Sequence, residues 1–257
     1  MNVTRTDHFF YRYSVTTPWA RPESSHTHSL FELIYFMRGD AHHVVEDRMY
    51  KLSRGDLIIV QPGKYHDIRF DSDREYERIN ILFDHEALGL DRAVALSAEI
   101  EVISLADRPE TAAIFKKMER YHEAFSEGEF VAAATHLLYE LFCDLSLEGQ
   151  ETRRYSTLHP MLSDALSYIA DNLFTVGSVQ EIATALHVTE SYLFRLFREE
   201  LNTSPKKYVT DKRLLAAQSM LRLGRRPTEI FSECGFADYT SFFRSYKRFF
   251  GVAPSKG

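Results

Sequence analysis

The last hundred residues carry one pattern twice. Ile182-Ala183, Val188, Leu193, Arg195, Phe197 and Pro205 recur as Ile230-Phe231, Phe236, Phe242, Arg244, Tyr246 and Pro254, offset by 48 residues before an internal turn and 49 after it. Apolar spacing, Ser178 and Ser204 as N-caps, Pro205 and Pro227 in first turns, and Asn202 and Gly251 as stops predict helices over 162–172, 179–187, 190–201, 205–222, 227–233 and 238–250. Each copy is then a helix, a tight turn and a second helix. A helix of roughly 27 Å, at about 1.5 Å per residue, joins them. Residues 161–257 are thereby confined to an all-α domain of two similar modules.

The second helix of each copy has two faces. In 190–201, Leu193, Leu196, Phe197 and Leu201 form a core stripe and leave Glu190, Ser191, Phe194, Arg195 and Arg198 outward. In 238–250, Phe242, Tyr246, Phe249 and Phe250 do the same and leave Tyr239, Thr240, Phe243, Arg244, Lys247 and Arg248 outward. This is the helix-turn-helix plan, in which the second helix enters the DNA major groove while the first braces it across the backbone. Arg195 and Arg244 hold matching places and can each grip a guanine edge through two hydrogen bonds, while Phe194 and Phe243 suit thymine methyl groups. One such helix fits an ordinary bundle equally well. Two in register, spaced for the ~34 Å repeat of successive major grooves, favour DNA.

Residues 178–213 and 226–255 resemble the twin helix-turn-helix domain of the AraC/XylS family of bacterial transcription regulators. The second copy carries its signature as Gly235-Phe236, Asp238, Phe242, Arg244, Tyr246-Lys247, Gly251 and Pro254. Phe231 departs from the small residue usual between the two helices, Pro227 from an aliphatic, and Asn202 from a glycine that an αL cap also tolerates. The resemblance implies double-stranded DNA and RNA polymerase as partners, activation rather than repression, and a homodimer.

Upstream the period changes. Short runs of β-branched and aromatic residues from Phe9 to Phe83, broken at Arg38-Gly39-Asp40, Ser53-Arg54-Gly55-Asp56 and Gln61-Pro62-Gly63, predict a small barrel or sandwich. His26, His28, Glu32 and Gly39, followed by Gly55, Pro62-Gly63 and His66, resemble the two motifs of cupin barrels. On one strand, positions 26, 28 and 32 share parity and would all face the interior. The cupin resemblance implies a divalent ion on His26, His28, Glu32 and His66. Within AraC-type regulators a similar pattern belongs to a sensor domain that often holds no metal and binds a small effector, frequently a sugar, so no cofactor is required. A pocket of these four residues with aromatic neighbours Tyr35, Phe36 and Tyr65 suits a polyhydroxylated ligand, although each aromatic alone fits a core equally well.

Helical spacing returns between Arg108 and Leu147, on either side of a break near Gly128. These helices either pack on the barrel or, by the resemblance, supply dimer contacts. The expected architecture is α+β and multidomain: a cupin-like sensing domain over 1–105, a helical packing or dimerisation segment over 106–147, a polar linker over 148–160, and the twin helix-turn-helix domain over 161–257, whose modules are joined by a long helix.

Net charge first argues the other way. Lys and Arg number 31 against 37 Asp and Glu, a formal −6. Residues 158–257 nevertheless carry +3 and residues 1–157 carry −9, so the acidic balance belongs to the sensing half. At only +3, specificity must rest on placed residues such as Arg195, Arg198, Arg244, Lys247 and Arg248 together with dimerisation. Cys143 and Cys234 have no metal or redox spacing, Met1–Tyr13 lacks the apolar run of a signal peptide, and no stretch is expected to reach membrane-spanning length, which together predict a cytoplasmic protein. Two competing readings are a metal-dependent cupin enzyme with a helical assembly domain, and a DNA-binding protein whose N-terminal half is a ligand-blind dimeriser. The chain shows no nucleophile–base constellation and no phosphate loop, so the expected function is a non-enzymatic, effector-responsive regulator.

Overall fold

Alternating residues build the first unit of the chain, Met1–Ser156, from β1 (Val3–Arg5), β2 (Phe9–Thr16), β3 (Phe31–Arg38), β4 (Ala41–Val45), β5 (Arg48–Lys51), β6 (Asp56–Val60), β7 (His66–Phe70) and β8 (Tyr76–Phe83). They are followed by α1 (Asp91–Ala95), β9 (Val102–Ser104), α2 (Pro109–Ala124) and α3 (Glu127–Leu147). The computed structural model describes residues 3–17, 25–95, 101–147 and 154–256. Of the expected linker, residues 148–153 lie outside the described residues.

One sheet has the order β1-β2-β8-β3-β6-β9, and in the other β5, β4 and β7 are neighbours; the pairings are antiparallel. Strand alternation creates two cores. Ile34, Phe36, Ile58, Val60 and Tyr76 point from the first sheet to Ala41, Tyr50, Ile68 and Phe70 of the second, closing a cupin-like barrel. Leu33, Ile59, Ile79, Ile81 and Phe83 point the other way and pack against Phe115 and Met118 of α2 and Phe130, Leu138 and Phe142 of α3. Each such fully buried side chain contributes about 1.5–3 kcal/mol of burial.

Local details differ from the sequence expectation. The α2–α3 break falls at Phe125-Ser126, because Glu129 accepts hydrogen bonds from Ser126 N at 3.0 Å and Ser126 Oγ at 2.6 Å and starts α3 there; Gly128 lies within its first turn. The short α1 and β9 were not legible as elements. α3, with 21 residues and a mean hydropathy of 1.3, is long and apolar enough by length and composition to cross a membrane, which corrects the expectation that no such stretch exists. Its apolar stripe is nevertheless spent on the sheet: Phe130, Ala134, Leu138, Leu141 and Phe142 are buried there, while Glu140 pairs with Lys117 of α2 at 3.2 Å.

The second unit, Thr157–Gly257, contains α4 (Pro160–Asp171), α5 (Val179–Ala185), α6 (Glu190–Leu201), α7 (Pro205–Arg222), α8 (Pro227–Glu233), α9 (Tyr239–Phe250) and a 3-10 turn at Pro254–Lys256. Ser178 Oγ accepts from Glu181 N at 3.1 Å and Ser204 Oγ from Lys207 N at 3.2 Å, while Asn202 and Gly251 end their helices at φ +46° and +77°. α5 stops at Ala185 because His187 adopts φ +56°, and Gly235 repeats that left-handed turn at φ +77° in the second module. At Gly235 a Cβ would lie 2.7 Å from both the Phe174 carbonyl oxygen and Arg213 Cζ, so glycine is required there.

Candidate functional site

Two groups of residues are assembled, one in each unit. In the second unit α5–α6 and α8–α9 are the two helix-turn-helix modules. α6 is started by Thr189, whose Oγ1 accepts from Tyr192 N at 3.2 Å, and α9 by Asp238, whose Oδ1 accepts from Ser241 N at 2.8 Å. Leu193, Leu196, Phe197 and Leu201 are buried on α6, Phe242 and Tyr246 on α9. Glu190, Ser191, Phe194, Arg195 and Arg198 are exposed on α6, as are Thr240, Arg244, Lys247 and Arg248 on α9.

Phe194 stands 42% exposed, an unusual setting for phenylalanine. Tyr239 and Phe243 differ from the expectation: both are half-buried, and Tyr239 packs edge-on against Phe231 at 6.0 Å. The bulky Phe231 between the helices draws Tyr239 inward, so these two rings border the outward face rather than stand on it. Arg195 lies over the Tyr192 ring at 5.5 Å and Arg244 Nε donates to Thr240 O at 3.5 Å, so both guanidiniums rest along their own helices.

In the first unit the four barrel residues converge, but not by sharing a strand. β3 begins only at Phe31, and His26 is placed instead by an antiparallel bridge to His66, with His26 N donating to His66 O at 3.1 Å and His66 N to His26 O at 3.0 Å. His28 Nδ1 faces Leu30 O at 2.9 Å and His66 Nδ1 faces Lys64 O at 3.0 Å, so each Nδ1–H donates to a carbonyl. Each Nε2 is thereby aimed at the same atom, Glu32 Oε2, at 2.9 Å from His28 and 2.8 Å from His66. Burial pushes Glu32 up, but the hydrogen bonds and charge of these two histidines hold its carboxyl well below the usual range. For His66 burial lowers the pKa, and the bond and charge of Glu32 more than offset it, leaving the imidazole raised.

Tyr35 and Tyr65 do not join this cluster. Glu32 and Tyr35 have opposite parity on β3, so Tyr35 points outward and stacks on Phe115 of α2, and the fully buried Tyr65 is not among the residues lining the cluster's cavity. Phe36 does face inward, beside Tyr76 at 5.5 Å. The cavity, about 20 Å³, is bordered also by His43, Asp67 and Arg78, which the sequence reading did not single out. His43 is 2% exposed with both ring nitrogens lacking a hydrogen-bond partner among the described residues, and burial, with the charge of His66, pushes it down to about 3. Burial likewise raises the Asp67 carboxyl. Register places Arg12 opposite Asn80 and Ser14 opposite Arg78, on the inward side with Ile34 and Phe36. Their signal in the sequence is the alternation Arg78-Ile79-Asn80-Ile81.

The two units match known families. An AraC-like ligand binding domain matches residues 9–142, more than half of the chain, and a helix-turn-helix domain matches 182–256. The chain belongs to the AraC family. It is accordingly an effector-responsive, DNA-binding transcription regulator, which sets aside the cupin-enzyme alternative. The AraC-family chain is 24% identical over 249 residues to the HTH-type transcriptional activator RhaR of Escherichia coli O139:H28, covering 91% of this chain and 86% of RhaR. It is 29% identical over 129 residues to the raffinose operon transcriptional regulatory protein RafR of Pediococcus pentosaceus, covering 46% of this chain and 44% of RafR. Among solved structures, ToxT from Vibrio cholerae aligns over 98% of this chain and 97% of its own at 13% identity, with a TM-score of 0.40.

Proposed function

We propose that this AraC-family regulator acts as a homodimer that inserts α6 and α9 into successive major grooves and answers to a polar small molecule held inside the barrel. The observation that carries it is the exposure of Arg195 and Arg244 at matching places on two capped helices tied to one joining helix. Base contact falls to Arg195, Arg244, Phe194, Ser191 and Thr240, with Tyr239 and Phe243 at the margin; Arg198, Lys247 and Arg248 serve phosphates, and Glu190 opens the first recognition helix.

His26, His28, Glu32 and His66, with Arg12, Asn80 and Arg78, offer the paired donors and acceptors that hydroxyl groups need, and the name of RafR supports a saccharide-class effector, which the cavity of about 20 Å³ must open to admit. Dimerisation through 106–147 is supported by Phe125 and Tyr139, which remain 44% and 49% exposed on the helical layer. RhaR is named an activator, which supports activation here, with RNA polymerase as the partner that activation requires, and DNA binding supports a cytoplasmic location. Selection of bound sequences from a random DNA pool tests the proposal: it expects two half-sites about one helical turn apart, and recovery of no preferred sequence at moderate salt sinks it.

A second reading, a divalent cation on His26, His28, Glu32 and His66, is supported by ligand atoms that all lie within 4.8 Å of one another. The donor set fits: each Nδ1–H of His28 and His66 is tied to a carbonyl, the arrangement that orients an imidazole Nε2 toward a metal. Such an ion would supply a Lewis-acid anchor for an effector hydroxyl or carboxylate. Elemental analysis of protein purified without nickel checks it, and substoichiometric metal counts against it.

A further inference from the structure

We infer that the sensing unit has a second small-molecule site, outside the barrel, that takes a small aromatic carboxylate. Between the outer face of the six-stranded sheet and α2 lies a cleft of about 410 Å³, within the size range of ligand pockets and far larger than the cavity of about 20 Å³ at the histidines. It exists because α2 presents Ala112 and Ala113 here, side chains too short to cover the sheet.

The wall is largely apolar, with half-buried Tyr35 backed by the buried Phe115. The rings of Tyr35 and Phe115 stack with centroids 4.2 Å apart and planes inclined by 1°, and Met37 and Leu105 border them. A planar ring extends such a stack. The rim is cationic: Arg54 from the turn before β6 and Lys116 from α2 both line the cleft, and neither makes a hydrogen bond or ion pair with a described residue. Arg54 acts electrostatically on the Tyr35 phenol, which places its guanidinium near the stacked rings. Glu119 is the acidic residue of the lining, leaving one positive charge in excess. A ligand with one planar apolar body and one carboxylate complements both features, whereas a neutral sugar would leave both cations without a counter-charge. Because α2 forms one wall, an occupant bears directly on the helical layer and needs no access to the barrel.

Isothermal titration of the full chain with 2-naphthoate and with its uncharged analogue 2-naphthylmethanol tests the site. The acid is expected to bind about ten-fold tighter than the alcohol, a preference abolished in Arg54→Gln/Lys116→Gln, where both changes are on the exposed rim and leave the fold intact. Ala112→Leu, which fills the cleft, should weaken both probes, and Glu32→Gln should weaken neither. Equal affinities for acid and alcohol, an acid preference that survives the double substitution, loss of binding in Glu32→Gln, or no binding of either probe at millimolar concentration would each overturn the inference. Naphthoate that binds as expected without altering DNA affinity upholds the site and shows that it is not coupled to the DNA-binding unit.

Discussion

Arg213 Nη1 donates to the carbonyl oxygen of Gly235 at 2.7 Å, joining the middle of α7 to the turn of the second helix-turn-helix module. The same guanidinium donates through Nε to Leu173 O at 2.7 Å and through Nη2 to Val176 O at 2.6 Å, the segment that leads into the first module. One planar fork therefore ties both modules to the joining helix. Bonds from a charged donor contribute about 1.5–3 kcal/mol each, and losing this one strands three carbonyls. Arg213→Ala is expected to destabilise the second unit by about 3 kcal/mol in denaturant titration. Arg213→Lys should recover less than half of that, because an ammonium cannot reach three acceptors; full recovery by Lys would contradict the fork role.

Gly235→Ala is a separate test of the same junction. Its Cβ would meet the Phe174 carbonyl oxygen and Arg213 at 2.7 Å in a left-handed conformation, so a loss of about 1–3 kcal/mol is expected. His187→Gly, at the corresponding turn, should instead be neutral or stabilising, since His187 already holds φ +56°.

On DNA, Arg195→Ala and Arg244→Ala should each cost about 1–3 kcal/mol at the cognate site and relax preference at the bases they touch. Lys247→Ala should weaken all sequences nearly alike and reduce the slope of log affinity against log salt by about one. Binding isotherms at several salt concentrations separate the two classes. An Arg244→Ala protein with unchanged base preference would remove α9 from the reading.

Acid should destabilise the sensing unit through His43. Its folded pKa, pushed down to about 3 from an ordinary 6.5, means that the unfolded chain takes up the proton first. The contribution is fully present above pH 6.5 and is lost as pH falls from there toward 3, at about 1.4 kcal/mol per pH unit. Glu32, held low, adds to the loss below its ordinary 4.5, whereas the raised His66 acts oppositely, stabilising below 6.5 and losing that contribution as pH rises through its folded value. In chelator-treated protein, the pH profile of His43→Leu stability should be flatter than wild type between pH 6.5 and 4; parallel profiles would show that His43 does not stay neutral.

Burial pushes the Cys234 thiol up to about 11, with its sulfur 3.7 Å from Met220 Sδ, while Cys143 is only half-buried. At pH 8 a disulfide reagent should therefore label Cys143 in the native protein and reach Cys234 only after denaturation. Mass mapping of the labelled peptides reads the outcome.

The repeat made the twin modules legible in the sequence, because a helix cap, a core stripe and an αL turn are local requirements written in adjacent residues. α6 and α9 begin and end within one residue of expectation, and Ser178, Ser204, Asn202 and Gly251 act as read. The four barrel residues were also legible, through their resemblance to the two cupin motifs. What failed was reasoning that required strand ends: extending β3 back to His26 gave the right cluster for the wrong reason, and ignoring the opposite parity of Glu32 and Tyr35 put an outward ring in an inward pocket.

Sequence by itself determined the two helix-turn-helix modules with their buried and outward helix faces, and that the other half would be a β-domain followed by helices, since both follow from periodicity along the chain. Only the tertiary structure decided that His43 shares a cavity with Glu32 and His66, that Phe231 pulls Tyr239 inward, and that Arg213 holds three segments at once. The first and last depend on contacts between residues far apart in the chain, and the Phe231–Tyr239 contact on how α8 packs against α9, so all are set by sheet register and helix packing rather than by any local preference.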